Sequence, residues 1–243
     1  MIGVGLQQPV THKRLPVLYL SCRDSLADAP RPLSLIGRLV DSNNRIDAVV
    51  FITASADSGQ PQLLGPATAG RFKGQLSAIL SKLGCPLARH GNTSTSVEAL
   101  VSMLFEQTPV DYIELRLSVA MSMEQCRELG QALQGWRESK VLLVCLDQVP
   151  LDVEPQRYRS PHDPYWRNLM NQWVDEQRWY EALSDSALQA HPSPENRQRS
   201  LDDASLCLLH AAFGLGGLRL PERLFGFDLD DNQRALSGYG WMN

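Results

Sequence analysis

Apolar and polar positions along the chain alternate between two kinds of pattern. Pro16–Ser21, Ile46–Thr53 and Lys140–Leu146 are short apolar runs of strand length. Runs of this kind, with almost no polar alternation, predict strands covered on both faces, as in a mostly parallel sheet. Tyr112–Leu117 alternates instead, with Ile113, Leu115 and Leu117 on one side. Between the strands lie helical spacings. Phe72, Leu76, Ile79, Leu80 and Leu83 share one helical face, and Gly84 ends that segment. Val97–Phe105 reads as a second helix. Ser122 and Gln125 form a capping box for a third, which runs to Trp136.

Further helices are predicted at Leu33–Val40, at the aromatic-rich Tyr165–Leu183, and from His191-Pro-Ser-Pro-Glu195 through to Phe213. Residues 55–66 and the stretch before Pro164 read as loops. Gly214, Gly216 and Gly217 mark a turn, and Arg234–Trp241 a last strand. This order predicts an α/β fold: one domain over residues 1–243, with a central, mostly parallel or mixed sheet flanked by helices on both faces. Residues 1–14 are expected to be a flexible N-terminal segment. No repeat, low-complexity tract or linker divides the chain.

Composition narrows the function. The chain has 243 residues, 43% of them hydrophobic, with 23 Lys and Arg against 27 Asp and Glu and a formal net charge of -4. Such a chain affords a sizeable core, and it lacks the basic excess of a general nucleic-acid binder. Its longest apolar runs, Ala48–Ile52 and Val141–Leu146, are far too short to cross a bilayer. Gln7, Gln8 and Pro9 break any leader-like stretch ahead of His12, Lys13 and Arg14. A cytoplasmic protein is expected, with no nucleic-acid or membrane partner.

The familiar catalytic signatures are absent. There is no phosphate-cradling glycine loop, no G-x-S-x-G elbow, no H-E-x-x-H and no C-x-x-C pair. Cys126, Cys145 and Cys207 sit in apolar or helical patterns and read as reduced, buried thiols, while Cys22 and Cys85 lie apart from them. The five histidines are scattered, and His210, among Leu208, Leu209, Ala211 and Ala212, reads as a packed structural residue. Trp166, Trp173 and Trp179 read as core positions, and Asp228, Asp230 and Asp231 as a solvated turn.

Several separated segments nevertheless match one family in order. Leu15-Pro-Val-Leu-Tyr-Leu-Ser21 and Ala48-Val-Val-Phe-Ile-Thr-Ala54 resemble the first two strands of the class III extradiol ring-cleaving dioxygenases of DOPA-dioxygenase type. Leu117-Ser118, Cys126–Arg137, Val141–Val144, Pro164-Tyr-Trp166, His191–Glu195, Ala235-Leu-Ser237 and Tyr239-Gly-Trp241 continue the resemblance over nearly the whole chain. It implies a site at the strand ends, where a non-haem metal, iron(II) or zinc, holds a catechol and dioxygen while a histidine moves protons.

Carried over position by position, the family's metal ligands fall on Cys22, Ser55, Leu151 and Asn196. Leu151 cannot ligate, and a neutral Ser and Asn are feeble ligands for iron(II). The resemblance therefore implies the family's scaffold without its metal centre, and neither a metal ligand set nor a cofactor is expected. The catalytic histidine falls near Val97, or on His90 if an insertion follows His90-Gly91.

The polar residues expected around the emptied cleft are Cys22, Arg23, Asp24, Ser55, Asp57, Asp147, Gln148, His191 and Asn196. Arg23, Ser55, Asp147, His191 and Asn196 are the substrate-binding candidates, with a small aromatic or amino-acid-like ligand in view. His90, Cys22 and His191 are the catalytic candidates. Three readings follow from the resemblance. The first is a non-catalytic binding or partner subunit, as a homo-oligomer or beside an intact family member. The second is an active dioxygenase with a ligand set rearranged around His191 and Asp147 or Asp152. The third is a metal-independent enzyme using the Cys22 thiol.

Overall fold

The computed structural model describes residues 14–22, 37, 46–55, 59–88, 93–105, 110–148, 196–229 and 235–242. Seven strands make one mixed sheet: β1 (Val17–Cys22), β2 (Ala48–Ser55), β3 (Gln62–Leu64), β4 (Asp111–Ser118), β5 (Val141–Gln148), β6 (Glu222–Leu229) and β7 (Ala235–Trp241). Their spatial order is β3-β4-β2-β5-β1-β7-β6. The central four, β4, β2, β5 and β1, are mutually parallel. β3 runs antiparallel on β4, β7 antiparallel on β1, and β6 antiparallel on β7. Among the described residues four α-helices accompany the sheet: α1 (Gly70–Lys82), α2 (Thr95–Leu104), α3 (Met123–Leu133) and α4 (Asn196–Leu215).

β1, β2 and β5 are apolar on both faces over most of their length, as their unbroken hydrophobic runs require, while β4 is apolar on one face only. Val17, Tyr19, Val50, Ile52, Leu143 and Cys145 point to one side, where Leu76 and Leu80 of α1, Cys126, Leu129 and Leu133 of α3, and the apolar positions of α4 cover them. Leu18, Leu20, Val49, Phe51, Leu142, Val144 and Leu146 point to the other, under Val97 and Leu100 of α2. The α/β fold with helices on both faces is thus realised. No helix among the described residues is long and apolar enough to cross a membrane.

α3 begins as the sequence dictates. Ser122 Oγ accepts from Gln125 N at 3.1 Å, and Gln125 Oε1 accepts from Ser122 N at 2.9 Å. Its C-terminal end departs from expectation: regular helix stops at Leu133, and a 3-10 turn, Gln134–Arg137, carries the chain on. That turn aims Arg137 inward. Its buried guanidinium donates to the Leu15 carbonyl at 2.7 Å and the Trp241 carbonyl at 2.9 Å, joining the approach to β1 to the end of β7.

α3 and α4 cross almost in backbone contact. A Cβ on Gly130 would stand 2.2 Å from the Ala211 carbonyl, and one on Gly214 would stand 2.2 Å from the Arg127 carbonyl. Arg127 bonds His210, and Gln134 Nε2 donates to the Gly214 carbonyl. Arg137, just after α3, and Gly216, just after α4, both meet Trp241 at the amino edge of the parallel strands, so the two helices run in the same direction.

Two strands were not foreseen. β3 lies inside the segment 55–66 read as loop, because three residues are too short to carry a periodic signal. β6 escapes notice because register irregularities between Arg223 and Phe225 and between Phe225 and Asp228 break its alternation. The helices expected at Leu33–Val40 (position 37 apart) and Tyr165–Leu183 lie outside the described residues.

Candidate ligand site at the carboxyl edge of the parallel strands

Parallel strands end together, and here their carboxyl ends bring four positions level. Ser118 of β4 pairs in register with Ser55 of β2, and Gln148 of β5 with Cys22 of β1. Cys22 also faces Leu236 of β7. β2 and β5 are paired as far as Ile52 and Cys145; three residues further along each strand come Ser55 and Gln148. The edge is therefore a row running Ser118, Ser55, Gln148, Cys22, which is where open α/β sheets receive ligands.

Of the substrate-binding candidates, Ser55 and Asp147 are described in full, and they lie on opposite faces. Ser55 follows Phe51 and Thr53 by strand alternation onto the α2 face, where it is half-buried. Asp147 follows Leu143 and Cys145 onto the α3–α4 face. It is 6% exposed and accepts a 2.6 Å hydrogen bond from the Tyr19 hydroxyl of the neighbouring strand. Burial, then the adjacent Asp147 charge, holds the Tyr19 phenol well above its ordinary pKa. Asn196 opens α4, and Cys22 closes β1. Arg23, Asp24, Asp57, His90, Leu151, Asp152 and His191 lie outside the described residues. Val97 is a buried core residue of α2.

The α2 face holds polar chemistry that the sequence reading passed over. Glu114, in the middle of β4, is 1% exposed. Its Oε1 accepts from Thr53 Oγ1 at 3.0 Å and from Arg116 Nε and Nη2 at 3.2 and 2.8 Å. Its Oε2 accepts from Ser94 N at 2.7 Å. Ser94 in turn caps α2 through Val97 N, while the Thr93 hydroxyl donates to Glu98. One buried carboxylate thus ties the entry to α2 against β2 and β4. The available signal was Glu114-x-Arg116 in a strand between two covered faces: a carboxylate at such a position needs a partner, and the next residue on its face supplies one.

Other buried titratable groups lie within the packed interior. His210 is fully buried; its Nδ1 is 2.9 Å from Arg127 Nη1, and its Nε2 has no hydrogen-bond partner. Burial, helped by the Arg127 charge, lowers its pKa to about 3, so the ring is neutral with the proton on Nε2. The four cysteines Cys85, Cys126, Cys145 and Cys207 are buried and free, as foreseen for three of them. Burial pushes the Cys145 thiol up, and the Cys126 thiol is pushed up by its hydrogen bond with Cys207 and then by burial. Among the described residues, no three His, Cys, Asp or Glu side chains come together as a metal-binding group.

No protein-family profile matches the chain, and no curated protein is similar to it. Solved structures do match. One is the crystal structure of the uncharacterized protein JW3007 from Escherichia coli K12. It has a TM-score of 0.56 and 14% sequence identity, covering 93% of this chain and 99% of that one. At that identity the likeness extends to the fold.

Proposed function

We propose that this chain is a metal-free homologue of the class III extradiol ring-cleaving dioxygenases. It binds a small aromatic or amino-acid-like ligand at the carboxyl edge of its parallel strands, or supports an intact family member there. The observation that carries the reading is the register. Cys22 and Ser55, two positions taken from the resemblance alone, end the strands on either side of β5 and share one edge of the sheet.

The residues at these positions do not fit the family's iron or zinc. Ser55 offers a neutral hydroxyl, Asn196 a carboxamide and Leu151 nothing, which leaves one thiol. Asp147, the carboxylate best placed to replace a lost ligand, is turned to the opposite face from Ser55 and held there by Tyr19. Rebuilding a centre from both would require β5 to turn over, exchanging its two buried faces. No step is therefore routed through a metal. What remains suits binding: hydroxyl groups and a fixed guanidinium near a sheet edge, on a rigid parallel scaffold.

Metal analysis of protein purified without chelator tests the reading, followed by anaerobic addition of iron(II), then oxygen and a panel of catechols. The expected result is no stoichiometric metal and no yellow ring-opened product. Turnover lost on His191→Ala or Asp147→Asn would replace this reading with that of an active enzyme using a rearranged ligand set.

A further inference from the structure

Arg116 occupies a particular place in the sheet. In register it lies between Thr53 of β2 and Gln62 of β3, two residues before the end of β4, on the face that also carries Ser55. Its side chain is 28% exposed, while the carboxylate that holds it is sealed beneath. The manner of holding matters. Glu114 engages Nε and Nη2, the side edge of the guanidinium, through a single oxygen. Nη1 takes no part in that contact, and the end edge of the fork, Nη1 with the second proton of Nη2, is left to face elsewhere. A planar fork fixed along one edge is pre-organised to accept a carboxylate along the other. A lysine would also neutralise Glu114, but it has no second edge.

We infer that Arg116 is the anion-binding residue of the carboxyl-edge site, taking the carboxylate of a small organic acid on the end of its guanidinium, with Thr53 and Ser55 as neighbouring hydroxyls and Glu114 as its positioning residue. This rests on the ligand-binding reading above and adds the class of ligand: an aromatic or amino-acid-like molecule that carries a carboxylate. Arg116 then selects the charge.

Calorimetric titration of the full chain with benzoate, its neutral isostere benzamide, and catechol tests the assignment. Wild-type protein is expected to prefer benzoate over benzamide by about ten-fold or more, the yield of one charge-assisted bidentate contact. Arg116→Lys keeps a cation beside Glu114 but lacks the fork; it is expected to abolish that preference in a protein that still binds catechol. If Arg116→Lys does not fold, the double variant Glu114→Gln with Arg116→Gln removes both charges together and is expected to give the same result. A benzoate preference that survives in the folded variant overturns the inference. Catechol binding with no benzoate preference in wild-type protein also overturns it, while sparing the ligand-binding reading. Failure to bind any of the three removes both.

Discussion

Tyr19 and Asp147, 2.6 Å apart on neighbouring parallel strands, form a buried hydroxyl–carboxylate pair that links the middle of β1 to the end of β5. The pair makes stability depend on alkaline pH. Tyr19 has its pKa raised by burial and by Asp147, so the native phenol keeps its proton after the unfolded chain has lost its own. The unfolded state then binds fewer protons, and stability falls as pH rises above the unfolded value of about 10.

Tyr19→Phe should therefore lose about 1–3 kcal/mol at neutral pH, because Asp147 is left short of a donor. It should also lack the Tyr19 part of the alkaline decline. Urea unfolding of both proteins at neutral pH and at about pH 10.5 checks this. Parallel declines in the two proteins would refute it.

His210 acts in the opposite sense. Its folded pKa is lowered to about 3, so its neutral ring contributes stability that is complete above the unfolded value of about 6.5 and is lost as pH falls from there toward 3. The decline expected from this one proton approaches about 1.4 kcal/mol per pH unit at its steepest. His210→Leu should flatten the profile over that interval. A variant as acid-sensitive as wild type would place the acid lability elsewhere.

The legible part of the molecule was what periodicity reports. The two-faced apolar runs around Val50 and Leu143 gave the parallel core, and Ser122 with Gln125 gave a cap that forms as read. Position 22, at the end of β1, and position 55, at the end of β2, were legible only through resemblance, since the sequence distance between them says nothing of a shared sheet edge. Glu114 and Arg116 were hidden because an alternating strand suggests that its polar side is wet. Here α2 covers that side, and the polar residues satisfy one another. β3 and the irregular β6 owe their strand geometry to pairing with β4 and β7, a tertiary cause that no local pattern contains.

Glu114→Ala should leave Ser94 N, Thr53 and Arg116 without their common acceptor. A loss of about 3 kcal/mol is expected, the usual range for breaking a buried pair. Because α2 is tethered through Ser94, amide exchange should quicken first at the start of α2, with β5 remaining protected. Uniform acceleration across the sheet would show that the carboxylate serves the whole core rather than this one entry.

Gly130→Ala and Gly214→Ala test the α3–α4 crossing. In each case the new methyl meets backbone at 2.2 Å, which side-chain rotation cannot relieve. Each should cost about 3 kcal/mol, near the upper end for overpacking, read as a lowered urea midpoint. Gly135→Ala, whose Cβ would meet nothing within 4 Å, is the control and should leave the midpoint near wild type.

The placement of β1 has a consequence during synthesis. Of the seven strands, Val17–Cys22 is translated before the others, yet in the finished sheet it is flanked by Val141–Gln148 and Ala235–Trp241, both translated much later. Until they arrive, an apolar strand with two open edges is exposed to any other chain able to pair with it. Arg137 depends on the same late segment, since one of its carbonyl partners belongs to Trp241. Slowing translation late in the message should therefore increase aggregation.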